Sequence, residues 1–270
     1  MNRIDALYQR TRAHGGFAFN VYLCAGNPSL DATADLILEM ERRGVDAIEL
    51  GMPFSDPVAD GPDLQPAHAR GVAAGITLGH VLDMVRELRT KCQIPIALMS
   101  YYNPIHHRRP DRLVADAAQA GIDGLIIPDL PPEEAGDLID AARAHDVKTV
   151  FFVAPTSTPE RVALVNRSAT GFIYCISVMG VTGARTALPP ELAGQLRGLR
   201  DATDTPLVVG FGVSTPDHVR AMAAVADGCI VGSAVARVVE AALVEPRDVL
   251  LAKVGQFVEP LARAAHEGAG

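Results

Sequence analysis

The residue best placed to do chemistry is Glu49, in Ala47-Ile48-Glu49-Leu50, where a buried strand should be apolar throughout. A carboxylate there is costly unless it is paired, opened to a solvated cavity or held protonated. It is either a strand-end side chain that reaches solvent or a general acid/base at the mouth of whatever that strand builds. Asp56 and Asp60 follow in Pro53-Phe54-Ser55-Asp56-Pro57-Val58-Ala59-Asp60-Gly61-Pro62. Asp-Pro and Asp-Gly pairs are ordinary turn formers, so Asp60 is either a turn residue or a second carboxylate. Two carboxylates in different environments can divide acid and base duties between them.

Glycines supply the second candidate chemistry. Val181-Thr182-Gly183-Ala184, Gly210-Phe211-Gly212 and Gly232-Ser233-Ala234 each follow an apolar run. Glycine lets backbone N–H groups approach a ligand closely, and Gly232-Ser233 opens a helical stretch whose free N–H groups can hold an anion. One such glycine would mean only a tight turn, but three at neighbouring strand ends point to a phosphate. The phosphate loop that ends in Gly-Lys-Ser/Thr is absent. The expected ligand is therefore a small molecule with one terminal phosphate, held by backbone dipoles, and not a nucleoside triphosphate.

These residues need a scaffold, and the chain repeats a handover from helix to strand. RRGVDAIELG at 42–51, QAGIDGLIIPDL at 119–130 and AVADGCIVGSA at 224–234 each end an amphipathic stretch in a small residue, add an Asp, then begin a short apolar run. Eight such runs are expected near Ala18–Leu23, Ala47–Leu50, Ile94–Met99, Gly124–Ile127, Thr149–Val153, Phe172–Ile176, Leu207–Val209 and Gly228–Val231. Helical stretches at 32–44, 78–90 and 132–146 lie between them, the last with Pro132 in its first turn and Glu133-Glu134 at its positive end. Eight strand–helix units in this length are the count of a single (β/α)8 TIM barrel, one α/β domain over 1–270 with an extra N-terminal helix. An open doubly wound sheet usually has fewer strands and a single glycine fingerprint near the first. Extended loops follow strands 2 and 6, at 51–75 and 177–190, on the face where barrels place their sites.

Composition sets the remaining bounds. The chain has 270 residues, 49% of them hydrophobic and 21% charged, with a net charge of -8, which excludes a disordered or fibrous protein and disfavours a nucleic-acid surface. No apolar run is long enough to span a bilayer, and the first segment lacks a signal-peptide core, so a cytoplasmic protein is expected. Cys24, Cys92, Cys175 and Cys229 are far apart, which suits buried thiols better than bridges. His106-His107, beside Arg108-Arg109, reads as a solvated pair on a loop, and no metal site is expected.

The motifs together resemble one family. Ile48-Glu49-Leu50-Gly51-Met52-Pro53-Phe54-Ser55-Asp56-Pro57, continuing through Ala59-Asp60-Gly61-Pro62, resembles the signature of tryptophan synthase alpha chains. Tyr101-Tyr102-Asn103-Pro104, Pro128-Asp129-Leu130-Pro131, Ala154-Pro155-Thr156, Gly180-Val181-Thr182-Gly183-Ala184 and Gly210-Phe211-Gly212 follow in the same order, so the similarity runs from about Ile4 to Val239. The resemblance implies a lyase that splits indole-3-glycerol phosphate into indole and D-glyceraldehyde 3-phosphate by a retro-aldol reaction. It implies that Glu49 moves the protons and that Asp60 accepts the indole N–H. It places Tyr102, Tyr174 and Phe211 near the indole, and Thr182, Gly183, Gly212, Gly232 and Ser233 at the substrate phosphate. It also implies no cofactor on this chain and a pyridoxal-phosphate beta chain as partner in an alpha2-beta2 tetramer, met through Pro53, Asp56, Asn103 and Pro104.

Some positions depart from the family's usual pattern: Cys24, Asn27, Met179, the His106–Arg109 segment and Gln65-Pro66-Ala67-His68. They motivate one alternative, a stand-alone lyase that releases free indole, whereas a mainly activating or binding subunit is disfavoured because both carboxylates are intact. Another phosphate-sugar barrel, such as an epimerase, would explain the glycines but not the segment from Glu49 to Asp60.

Overall fold

Strand-length apolar runs separated by amphipathic helices can bury both faces of a parallel sheet only by closing it or covering it, and here the sheet closes. The computed structural model describes residues 1–176, 190–210 and 212–267. Its eight parallel strands pair in chain order around a closed barrel. They are β1 (Ala18–Cys24), β2 (Ala47–Gly51), β3 (Ile96–Met99), β4 (Gly124–Ile126), β5 (Lys148–Val153), β6 (Ile173–Ile176), β7 (Leu207–Gly210) and β8 (Gly228–Val231). All eight expected runs are strands, with ends shifted by no more than two residues. β1 closes the ring, Ala18 lying opposite Gly228 of β8 and Asn20 opposite Ala47 of β2.

The helices in chain order are α1 (Arg3–Ala13), α2 (Leu30–Arg42), α3 (Gln65–Ala73), α4 (Leu78–Leu88), α5 (Tyr102–Arg108), α6 (Pro110–Ala120), α7 (Gly136–Ala144), α8 (Pro159–Ser168), α9 (Pro190–Ala202), α10 (Pro216–Ala223), α11 (Ser233–Ala241) and α12 (Arg247–Glu267). None of them is long and apolar enough to cross a membrane. Alternation along each strand splits the core in two. Phe19, Val21 and Leu23 pack outward under the helices, whereas Tyr22, Ala97, Ile126, Val150 and Ile230 fill the barrel. The extra helix α1 joins the inner set through Ile4, Leu7 and Tyr8 and so floors the barrel from its N-terminal end.

The Asp in each helix-to-strand handover has a structural task. Asp46 Oδ2 accepts the Phe19 N–H at 2.8 Å, Asp123 Oδ2 the Ile96 N–H at 2.8 Å and Asp227 Oδ2 the Leu207 N–H at 2.7 Å. Each carboxylate thus ties the start of the preceding strand to the start of its own. Asp123 is the most buried of the three and also holds Arg3 at 2.9 Å and Arg89 at 2.8 Å. Asp123→Ala takes one acceptor from each of two guanidinium groups and strands one backbone donor, and is expected to cost about 2 kcal/mol, read from urea unfolding with cleavage activity retained at permissive temperature.

Three expectations need correction. The helix expected over 132–146 starts at Gly136, because Glu133 pairs with Arg161 of α8 and Pro132–Glu134 form a separate turn, so Asp137 is the acid of its first turn. His106 and His107 sit on helix α5 and not on a loop, because Asp129 Oδ1 accepts the Tyr102 N–H at 2.8 Å and caps that helix from outside. The long loop after β2 ends at Leu64, since α3 occupies much of the expected 51–75 segment. In the loop after β6, residues 177–189 lie outside the described residues.

Candidate functional site

Strand β2 carries Glu49 into the barrel. Its register places Glu49 opposite Tyr22 of β1 and Ala97 of β3, both inward-facing. Glu49 is 4% exposed, which removes the reading of a strand-end side chain in solvent. Among the described residues no group bonds its buried Oε2 atom. Burial, with a smaller push from the Asp60 carboxylate, raises the Glu49 carboxyl to about 8, so at neutral pH it is a neutral acid with a proton to give.

The loop after β2 folds back over the barrel mouth and buries Asp60, which is 6% exposed. A turn closed by the Asp60 N–H on the Pro57 carbonyl at 3.0 Å makes that reversal, and Gln65 Nε2 donates to the Asp60 carbonyl at 2.9 Å. Tyr101, at the end of β3, holds the carboxylate. Its Oη accepts the Ala59 N–H at 3.0 Å and therefore gives its own proton to Asp60 Oδ2, 2.5 Å away. The ring is fixed by Phe54, stacked on it at 5.0 Å. His68 of α3 approaches the same oxygen, its Nε2 3.3 Å from Asp60 Oδ2 and 3.0 Å from Tyr22 Oη. Asp60 is thus a buried, hydrogen-bonded carboxylate as well as part of a turn.

Two phenols complete the inner wall. Burial first, and then nearby acidic groups that include Glu49 and Asp60, push the Tyr22 and Tyr174 hydroxyls well up from their ordinary value, so both stay protonated. Glycines make their room. A Cβ on Gly51 would lie 2.2 Å from Tyr22 Oη, and one on Gly210 would lie 2.4 Å from Tyr174 Cε1. Phe152 packs on Tyr174 at 4.9 Å. The result is an apolar, aromatic-walled space holding one neutral carboxyl and one hydrogen-bonded carboxylate. It suits moving a proton to and from a carbon while charge develops on a neighbouring N–H.

The other expected site residues divide. Gly232 and Ser233 lie at the start of α11, where no side chain caps the helix N-terminus. Gly212 is described, with φ +40°, whereas Thr182, Gly183 and Phe211 lie outside the described residues. Tyr102 requires correction. Where strand gives way to helix, neighbouring side chains point apart, so Tyr101 takes the mouth while Tyr102 packs on the outer cluster, its ring 5.7 Å from His106. Of the expected partner residues, Asp56 and Asn103 are exposed and Pro104 is half-buried, all near the C-terminal strand ends. Pro53 is instead buried against α3, where a Cβ on Gly71 would lie 2.5 Å from its ring, so it shapes the loop and does not present a surface.

Tyr22, His68 and Tyr101 were missed by sequence reasoning. Tyr22 had the same signal as Glu49, a polar tip inside an apolar strand. His68 showed only as an atypical residue, because nothing local says that α3 turns it inward. All four thiols are buried, and burial raises Cys24 and Cys175 to about 12, so they are packing groups and not nucleophiles.

Comparison with known proteins gives a consistent result. The family model described as tryptophan synthase alpha chain matches residues 8–266. The tryptophan synthase alpha chain of Geobacter sulfurreducens is 45% identical over 240 residues, covering 89% of this chain and 91% of that one. That of Pelobacter propionicus is 42% identical over 269 residues and the full length of both. The crystal structure of tryptophan synthase subunit alpha from Legionella pneumophila superposes with a TM-score of 0.89 at 34% identity, covering 98% of each chain.

Proposed function

The chain belongs to the tryptophan synthase alpha chain family, and from that membership we propose how its residues divide the work. It is a lyase of tryptophan biosynthesis that cleaves indole-3-glycerol phosphate to indole and D-glyceraldehyde 3-phosphate, and it works as the alpha subunit beside a beta chain. Glu49 gives its proton to the ring carbon that bears the side chain, and positive charge spreads to the ring nitrogen. Asp60 accepts the indole N–H and stabilises that charge. The Glu49 carboxylate then takes the proton of the adjacent side-chain hydroxyl. The carbon–carbon bond breaks, its electron pair returns to the ring, the hydroxyl carbon becomes the aldehyde, and Glu49 is protonated again. One carboxyl thus serves as acid and then as base.

The observation that carries this reading is the neutral, buried Glu49 beside the hydrogen-bonded Asp60. Tyr174 bounds the indole site, and family membership gives Phe211 a role in indole binding. The phosphate lies on the backbone N–H groups at Gly232-Ser233, and family membership gives Thr182, Gly183 and Gly212 a share in holding it. Asp56, Asn103 and Pro104 meet the beta chain in an alpha2-beta2 tetramer. A single domain over 1–270 is supported by α12 packing back on α2 and β1 near the start of the barrel. A cytoplasmic location is supported by four unpaired thiols.

Indole release from indole-3-glycerol phosphate, followed with and without the cognate beta chain, tests the assignment. Cleavage by the chain alone, stimulated severalfold by the beta chain, is expected. No cleavage under either condition contradicts it.

A further inference from the structure

We propose that His68 is a positioning residue of the cleavage reaction, holding Asp60 by one oxygen so that the other meets the substrate N–H. The proposal rests on the role given to Asp60 above. His68 is 2% exposed, so protein groups must satisfy both of its ring nitrogens. Nδ1 accepts the Phe54 N–H at 3.2 Å, which leaves that nitrogen without a proton and puts the ring's proton on Nε2. The tautomer is thus fixed by the backbone of the loop that follows β2. Nε2 hydrogen-bonds Tyr22 Oη at 3.0 Å and lies 3.3 Å from Asp60 Oδ2, an electrostatic contact.

Asp60 Oδ2 is therefore faced from two sides, by the His68 Nε2 of α3 in an electrostatic contact and by the Tyr101 hydroxyl at the end of β3 in a hydrogen bond. Turning the carboxylate would break both contacts. Among the described residues Oδ1 takes no such bond, and it is the oxygen we assign to the indole N–H. Tyr22 is pinned by the same ring, and Gly51 leaves the space its hydroxyl occupies. One imidazole thus links β1, the loop after β2 and α3 at the mouth, and any slack there is passed to Asp60. Positioning errors of this kind act on turnover more than on binding, because the substrate phosphate is assigned to backbone N–H groups at Gly232-Ser233, which His68 does not itself touch.

A double-mutant cycle tests this. His68→Phe keeps ring volume and removes both nitrogens, while His68→Gln keeps an amide that can accept from Phe54 and donate to Asp60. His68→Phe is expected to lower kcat roughly twentyfold with KM changed by less than about twofold, and His68→Gln to recover most of that loss. In the Asp60→Asn background the same substitution is expected to cost less than about twofold, because the group it positions is already lost. If His68→Phe does not fold, the Gln variant carries the cycle, with a smaller loss that again vanishes in the Asp60→Asn background. Losses that multiply, or a His68→Phe enzyme with wild-type kcat, overturn the proposal while leaving the Asp60 assignment intact. Wild-type turnover by Asp60→Asn itself removes that assignment, and this proposal with it.

Discussion

Glu49→Gln lowers kcat for indole-3-glycerol phosphate cleavage by roughly a thousandfold and leaves KM nearly unchanged, the signature of a lost proton carrier at an otherwise intact site. Gln has the volume and shape of the neutral acid, so packing under the barrel mouth is preserved. What it lacks is a proton that can leave and return. The same substitution is expected to act in the opposite direction on stability. Burial raises the Glu49 carboxyl from its usual 4.5 to about 8, so between these values the folded chain binds more protons than the unfolded one. The wild type therefore loses stability as pH rises through that window, by about 1.4 kcal/mol per pH unit at most for a single group. The Gln variant has no such term and is expected to be the more stable protein at pH 8 and above. Loss of turnover with gain of stability, measured by urea unfolding at two pH values, separates catalysis from structure. A variant that loses both would show that Glu49 serves the fold.

Asp60→Asn is expected to lower kcat by several hundredfold, within the range seen for removal of one preorganised group that stabilises transition-state charge. Asn keeps an oxygen that can accept the indole N–H but not the charge that favours a cationic ring. Tyr101 and His68 both face the Oδ2 position, so the single amide oxygen either serves them and turns its NH2 on the indole N–H or serves the substrate and turns its NH2 on Tyr101. A second readout follows from the Asp60 charge on its neighbour. That charge contributes to raising Glu49, so its removal is expected to move the alkaline fall of activity to lower pH. Unchanged turnover with an unchanged pH profile would show that the two carboxyls do not work together.

Much of the scaffold was readable from the chain, because its signals are local. Each Gly or small residue at a helix end, each Asp after it and each apolar run reports on its own few residues, and the eight runs became eight strands. The three Asp residues carried more than their turn-like appearance suggested. Their bonds to the neighbouring strand join positions up to 27 residues apart. Glu49 stood out for the same local reason, a charged residue in an apolar strand.

The rest depended on three-dimensional closure. Whether Asp60 was a turn residue or a buried carboxylate could not be decided from Pro, Asp and Gly spacing, since it is both. Tyr101 and Tyr102 are indistinguishable as letters, and only the change from strand to helix between them decides which faces the mouth. His68 became visible through three partners, Tyr22 on β1 and Phe54 and Asp60 on the loop after β2, none of which the sequence places near it.

The dependence of kcat/KM on pH tests the central claim most directly, because it asks whether the acid that starts the reaction is the one that burial holds neutral. A plateau below about pH 8 and a tenfold fall per unit above it are expected, from the loss of one proton. A profile that stays level to about pH 9.5, in an enzyme still folded, would contradict it.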